Sequence, residues 1–293
     1  MQILRSLLFA PGNHLRKVEK VFTAGADAVI LDLEDAVAAA EKIQTRAVVV
    51  QALQAPRNCL GYVRINALDT ELTFGDLEAT VAAGVDGIVL PKVESASDLE
   101  KVDWVIGELE RKAGLEVGCI DLMPILETGK GIANAREICA AGGRTRRVSF
   151  GAGDYTRDMG MDWTHSEHEC AAARAEIVLA SRIAGLEPPV DTVWIHLKDE
   201  DGLKSSATRV REMGFQGKLC IHPAQLDTVH AVFTPDADEI AHARAVVAAF
   251  EAAEAAGSAS IQLDGYFIDY PIVEKARRQL ALAEAAGALQ EPE

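Results

Sequence analysis

Residues 27–36 read DAVILDLEDA, an apolar run that ends in three acids, Asp32, Glu34 and Asp35, within four positions. Val29, Ile30 and Leu31 in succession suit a strand buried on both faces, as in a parallel sheet covered by helices. Alternation along such a strand turns Asp32 and Glu34 one way and Leu31, Leu33 and Asp35 the other, so the three acids form one cluster only where the strand has ended. Charge at the end of a buried strand needs a use, and in parallel α/β folds ligand sites gather at the carboxyl ends of the strands.

The same form recurs along the chain. RSLLFAPG (5–12), CLGYVRIN (59–66), GIVLPKVE (87–94), DLMPILET (121–128), RVSFGAGD (147–154), DTVWIHLK (191–198) and GKLCIHPA (217–224) bring the number of such runs to eight. Between them lie LRKVEKVFTAG, EKIQTRAVVVQALQ, DLEKVDWVIGELERK and EIVLASRIAGL, where apolar residues return at helical spacing. Glycines at 25, 84, 114, 185 and 214 suit left-handed helix caps. Strand and helix in eightfold repetition predict a (β/α)8 TIM barrel over residues 1–235, with an open doubly wound sheet as the competing arrangement. Residues 236–293 depart from the repeat: an Ala-rich helix, a hairpin about Asp264-Gly265 and a last helix from Pro271. This C-terminal helix-hairpin-helix extension is not needed to close a barrel, and is expected to pack on it or on a neighbouring subunit.

Composition bounds the function. Of 293 residues 49% are hydrophobic, enough for a large core, and 29 Lys and Arg face 45 acids for a net charge of -16. Such a field repels nucleic-acid phosphates and anionic lipid, so neither nucleic acid nor membrane is an expected partner. The five cysteines lack metal-ligand or disulfide spacing and read as buried reduced thiols. No signal peptide or long apolar span is present in the sequence, and a cytoplasmic location is expected.

The polar residues at the strand ends are the candidate chemistry: Asn13, Asp32, Glu34, Asp35, Arg64, Asn66, Lys92, Glu94, Glu127, Asp154, Lys198 and His222. Acids dominate, and several in one pocket raise each other's pKa unless a cation compensates them. Oxygen ligands with room left for water and substrate favour Mg2+ over zinc. Glu127 in ILETGKG and Asp154 in FGAGDYT end adjacent strands among glycines, which makes them the first choice of metal ligands. GAGDYT is not a dinucleotide fingerprint, since it lacks the third glycine and has an acid where a pyrophosphate would sit. His165 and His168 in DWTHSEHE read as a solvated loop rather than a metal pair. Arg64 is expected to pair with the acids of the second strand, to bind a substrate oxygen, or both.

The set RSLLFAPG, ADAVILDLEDAV, VRINALD, VDGIVLPKVES, ILETGKGI, FGAGDYTRD, GFQGKLCIHPAQ and DGYFIDYP closely resembles the citrate lyase beta-subunit family of the HpcH/HpaI aldolase superfamily, in order and over nearly the whole chain. The resemblance implies a Mg2+-dependent lyase that cleaves a 3-hydroxyacyl-CoA such as citryl-CoA, malyl-CoA or citramalyl-CoA into an acyl-CoA and an oxo acid. It also implies a TIM barrel assembled as a homotrimer or hexamer. The family's metal carboxylates fall on Glu127 and Asp154, its substrate-binding arginine on Arg64, and an acid acting in the adjacent subunit on Asp269. Arg16 and Lys17, after the first strand, are candidate contacts for the phosphates of CoA, Lys92 for the substrate or the acids, and Asp35 or Glu34 for support of the cation site.

Two places depart from the family's pattern. THSEHECA follows strand six where relatives have a Pro-Glu-Gly step, and His196 in WIHLKD stands where they commonly carry an acid. Acyl specificity is therefore open. So is the choice between a stand-alone CoA lyase, a beta subunit working with citrate lyase alpha and acyl-carrier subunits, and a thioesterase or a synthase on the same scaffold.

Overall fold

In a computed structural model that describes residues 3–82 and 84–288, eight parallel strands close into a barrel in chain order. They are β1 (Ser6–Pro11), β2 (Ala28–Asp32), β3 (Leu60–Arg64), β4 (Gly87–Leu90), β5 (Asp121–Leu126), β6 (Ser149–Phe150), β7 (Val190–Asp191) and β8 (Gly217–Cys220). β1 pairs with both β2 and β8, which excludes an open sheet and makes this a (β/α)8 TIM barrel.

Alternation sorts the strand residues. Leu7, Ala28, Ile30, Tyr62, Val89, Met123, Ile125 and Leu219 belong to one buried cluster, the filling of the barrel. Their neighbours Val29, Leu31, Val63, Ile88 and Leu122 are equally buried, and turn outward to the helices. Continued upward, the inward series Ala28-Ile30, Leu60-Tyr62 and Met123-Ile125 arrives at Asp32, Arg64 and Glu127. The barrel's own pleat thus points these three groups into its carboxyl-end mouth.

The opposite end is closed by a hydrogen-bonded group of Tyr62, Asp121 and Arg147. Tyr62 donates its hydroxyl to Asp121 at 2.7 Å, and Arg147 donates to Tyr62 at 3.1 Å and to Asp121 at 2.6 Å. Gly87 on β4 makes room for that tyrosine, since a Cβ there would stand 2.1 Å from its ring. Gly87→Ala is expected to destabilise the protein by about 1–3 kcal/mol through overpacking. Denaturant titration checks this, and an unchanged midpoint would show that Tyr62 can move freely.

The helices follow from pattern and caps. Helix Ala96–Ala113 buries Leu99, Val102, Ile106 and Leu109 on one face, starts with a reciprocal Ser95 and Asp98 capping box, and ends at Gly114 with φ 72°. Gly214 closes helix Glu200–Met213 in the same way, with φ 106°.

Strand seven corrects the reading of 191–198 as a strand. The ladder ends at Asp191, and Ile195 and Leu197 are exposed rather than buried. Their alternation imitates a strand, but the segment is a loop tied down by Trp194, whose Nε1 donates to the Asp199 carbonyl at 3.1 Å and whose carbonyl accepts from Gln225 at 2.8 Å. Lys198 and His196 are therefore loop residues. Of the cysteines, Cys139, Cys170 and Cys220 are buried and Cys59 half-buried, whereas Cys119 is exposed, against the expectation of buried thiols.

Residues from His230 onward form, with Ile3, a compact unit separate from Leu4–Val229. Helices Ala237–Ala255 and Tyr270–Ala285 enclose Val246, Phe250, Ile268 and Val273 in a small core with the hairpin of β9 (Ile261–Leu263) and β10 (Tyr266–Ile268). Its turn places Asp264 and Gly265 at φ 49° and 84°, the conformation for which Asp-Gly is preferred. Among the described residues, no helix is long and apolar enough to cross a membrane.

Candidate active site

Arg64, at the end of β3, is the centre of the mouth. Its Nε donates to Asp32 Oδ1 at 2.8 Å and its Nη2 to Asp32 Oδ2 at 2.6 Å, a bidentate fork, while Nη1 lies 3.0 Å from Glu34 Oε2 outside hydrogen-bonding geometry. Its guanidinium carbon stands 4.9 Å from the Phe9 ring centre, so β1 supplies an aromatic support. The head group is fixed, yet N–H groups on Nη1 and Nη2 remain uncommitted to hydrogen bonds. Burial would raise the Asp32 carboxyl, but the charge and hydrogen bonds of Arg64 outweigh it and hold Asp32 below the usual range.

β2 ends at Asp32, which frees the next residues from alternation. Glu34 reaches both Arg64 and the Lys92 ammonium, and Asp35, more than half exposed, lies 3.4 Å from Lys92 Nζ. Burial, only partly offset by Arg64 and Lys92, pushes the Glu34 carboxyl up. The loop carrying Glu34 is pinned by Lys42, which donates to the Glu34 carbonyl at 2.9 Å and to Asn66 Oδ1. Asn66 in turn donates to Asp76, which is fully buried.

Lys92 follows β4 with φ 53°, a left-handed conformation uncommon outside glycine. That backbone turns its N–H onto Glu127 Oε1 at 2.9 Å while its side chain reaches Glu34. One residue thereby joins the acids of β2 to the acid of β5. Glu127 is 3% exposed, and its carboxyl is pushed up to about 8 by burial and then by the charge of Asp154. Asp154 lies in the first turn of helix Ala152–Asp158, 2.5 Å from the Arg157 guanidinium.

The donor set fits a hard divalent cation. Five carboxyls (Asp32, Glu34, Asp35, Glu127, Asp154) outnumber the three cations that pair with them (Arg64, Lys92 and, on Asp154, the exposed Arg157), and Glu127 and Asp154 repel each other. Gly151, at the end of β6, keeps the cradle open, because a Cβ there would meet Glu127 Oε2 at 2.4 Å. Gly151→Ala has no backbone penalty at φ -119°, so its effect is local. It is expected to displace the Glu127 carboxylate and weaken divalent-cation affinity roughly 10–100-fold, as losses around metal ligands do. Calorimetric Mg2+ titration checks this, with an unchanged affinity as the contrary result.

Other strand-end residues are engaged elsewhere. Asn13 donates to Glu41 at 2.6 Å, Glu94 pairs with Lys130 at 3.1 Å, and His222 accepts from Ala224 N at the start of a short 3-10 turn. His165 and His168 are solvent-exposed. Arg16, Lys17, Lys20 and His222 line a cavity of about 420 Å3 that also takes in Phe9 and Pro11 of β1. Phe9 is thus common to the cationic cavity and to Arg64. Asp269 belongs to the C-terminal unit, where it precedes helix Tyr270–Ala285 without capping it.

Sequence reasoning overlooked Phe9, Lys42 and the left-handed backbone of Lys92. Alternation from Phe9 and from Asp32 would have found the Phe9-Arg64-Asp32 stack. The Lys92 backbone carries no signal in its residue type.

Residues 5–223 match the HpcH/HpaI aldolase/citrate lyase family. The citrate lyase subunit beta of Escherichia coli is 38% identical over 289 residues, 98% of this chain and 95% of that protein. A (3S)-malyl-CoA thioesterase of Cereibacter sphaeroides is also 38% identical, over 98% of this chain and 96% of its own length. The structure of the protein CitE from Mycobacterium tuberculosis in complex with magnesium, acetoacetate and coenzyme A superposes with a TM-score of 0.76 at 30% identity, covering 97% of this chain and 98% of that one.

Proposed function

The chain belongs to the HpcH/HpaI aldolase/citrate lyase family, and from that premise we propose that it is a Mg2+-dependent carbon–carbon lyase of 3-hydroxyacyl-CoA esters. The observation that carries the reading is the pairing of a fixed, partly uncommitted Arg64 with the two mutually repelling carboxylates Glu127 and Asp154 at one barrel mouth. Glu127 and Asp154 would hold the Mg2+, which would supply Lewis acidity toward the hydroxy-acid part of the substrate. Its presence in the related CitE complex supports the choice of ion.

The chain's own residues do the rest. Cleavage leaves an oxo acid and a thioester enolate, and Arg64 holds the enolate oxygen with the N–H groups that Asp32 leaves over. Asp32 and Phe9 keep the guanidinium in place, so no reorganisation is needed as charge develops. Lys92, with Asp35 beside its ammonium, orients Glu34 through its side chain and Glu127 through its N–H. Asp269, presented by a neighbouring copy in a homotrimer or hexamer, moves the proton between hydroxyl and enolate carbon. Arg16 and Lys17, at the cavity that shares Phe9 with the site, hold the phosphates of the CoA arm.

The test is turnover of citryl-, malyl- and citramalyl-CoA with Mg2+, following acetyl-CoA, oxo acid and free CoA separately. Acetyl-CoA with oxo acid is the expected result. The Cereibacter sphaeroides relative favours a second reading, hydrolysis, which would give free CoA with intact hydroxy acid. Absence of turnover with every ester sinks the stand-alone activity. Mixing inactive Arg64→Ala and Asp269→Ala proteins after subunit exchange is expected to restore part of the activity; no recovery would show that Asp269 does not act across subunits.

A further inference from the structure

We propose that His165 and His196 form a carboxylate-recognition pair at the mouth, which makes the released oxo acid a dicarboxylate of the oxaloacetate type, in preference to pyruvate or glyoxylate. This deepens the lyase reading above and rests on it.

Both residues lie in loops that follow barrel strands at the carboxyl end, His165 after helix Ala152–Asp158 and His196 after β7. The His165 loop starts against the metal side, since Trp163 packs over Gly153, where a Cβ would lie 3.3 Å from its ring, one residue from Asp154. The two loops then meet. The imidazole centres of His165 and His196 are 5.1 Å apart, and each stands 5.0 Å from the ring of Trp194, which is 2% exposed.

The pair is held rigidly although its edges face solvent. His165 Nε2 is 2.6 Å from Asp199 Oδ2, and Asp199 Oδ1 accepts from Gly202 N at 3.0 Å. Gly202 is needed there, as a Cβ would come 1.9 Å from Asp199 Oδ2. On the other side of His165, buried Glu167 is bound by Arg174 at 3.0 Å and Ser206 at 2.6 Å, and Arg209 donates to the Ser166 carbonyl at 2.8 Å. The His196 carbonyl accepts from Asp199 N at 3.0 Å, while among the described residues its imidazole has no hydrogen-bond partner, so its ring nitrogens are free for a ligand.

The ligand chemistry follows from what the rest of the mouth lacks. An oxo acid with a second carboxylate brings a further negative charge into a site already rich in acids, where Arg64 and Lys92 are engaged by Asp32 and Glu34. The paired imidazoles add donors on the β6 and β7 side, beside Lys198 of the same loop and the Arg157 already paired with Asp154. His165 spans Asp199 and the ligand through its two ring nitrogens, and His196 donates to the same carboxylate. A pyruvate or glyoxylate moiety offers nothing for them to bind.

The test compares kcat/KM for citryl-, citramalyl- and malyl-CoA in the wild type and in the His165→Ala, His196→Ala double variant. Preference for citryl-CoA is expected in the wild type, with a loss of roughly 10–100-fold for that ester alone in the variant, mostly in KM, and citramalyl-CoA within about twofold. His196→Gln, which keeps a donor, is expected to retain part of the preference. A wild type that prefers citramalyl- or malyl-CoA, or an equal loss for all three esters, overturns the proposal while leaving the lyase reading intact. Should the wild type cleave none of them, the lyase reading fails. Calorimetric titration of the Mg2+-loaded protein with oxaloacetate and with pyruvate then tests the pair by itself. Tighter oxaloacetate binding that is lost in the double variant supports it, and equal affinities overturn it.

Discussion

Glu127→Gln is expected to abolish turnover, by at least roughly 10²–10³-fold, while leaving the fold at least as stable as before. Gln keeps the shape and still accepts the Lys92 N–H on its amide oxygen, so the tie between β4 and β5 survives. What disappears is a carboxylate that burial and the charge of Asp154 disfavour, which is a cost to the metal-free protein. In EDTA the variant should therefore melt no lower than the wild type. Mg2+ should raise the wild-type melting temperature by preferential binding to the folded state and leave that of the variant unmoved. Asp154→Asn should repeat the loss of activity and of the Mg2+ response. An intact Mg2+ response in both variants would falsify the ligand assignment, whatever happened to activity.

Much of this arrangement could be read from residue order, because a barrel strand is a strict device. Once 27–36 is a buried parallel strand, period two decides which residues face inward, and eight such runs decide closure. The seventh run shows where that logic fails. Alternating Val193, Ile195 and Leu197 satisfies the pattern of a strand, but Ile195 and Leu197 are exposed, and only the tertiary anchoring of Trp194 shows that the segment is a loop. The site divides the same way. Arg64 and Glu127 sit on pleat positions and were legible, whereas Lys92 contributes through a backbone angle that its side chain does not advertise. The pairing of Arg64 with Asp32 was half legible, since the acids of β2 were expected partners but the burst of charge drew attention to Glu34 and Asp35. Asp32, on the last position of the strand proper and opposite Arg64 in register, takes the bidentate contact.

Arg64→Met tests that contact and carries the second large effect. Activity should fall by roughly 10²–10³-fold, because a positioned donor to the enolate oxygen is removed. Stability should fall as well, by about 3–5 kcal/mol at neutral pH, since Asp32 and Glu34 are left buried with their main counter-charge gone. The pH dependence identifies the cause. In the wild type, Asp32 is held below its unfolded value, so its stabilisation is complete above that value and is lost as pH falls through the lower folded one. Without Arg64, burial, the largest influence, is opposed only by the backbone N–H groups of Glu34 and Ala36, and the folded Asp32 carboxyl is expected to move above its unfolded value. The variant is then penalised at neutral pH and relieved on acidification, as the carboxyl takes up its proton. The stability gap between the two proteins should therefore be widest near neutrality and should narrow as pH drops through the carboxylate range. Denaturant unfolding at several pH values measures it. A gap that stays constant with pH would mean that Arg64 stabilises through packing on Phe9 rather than through its charge.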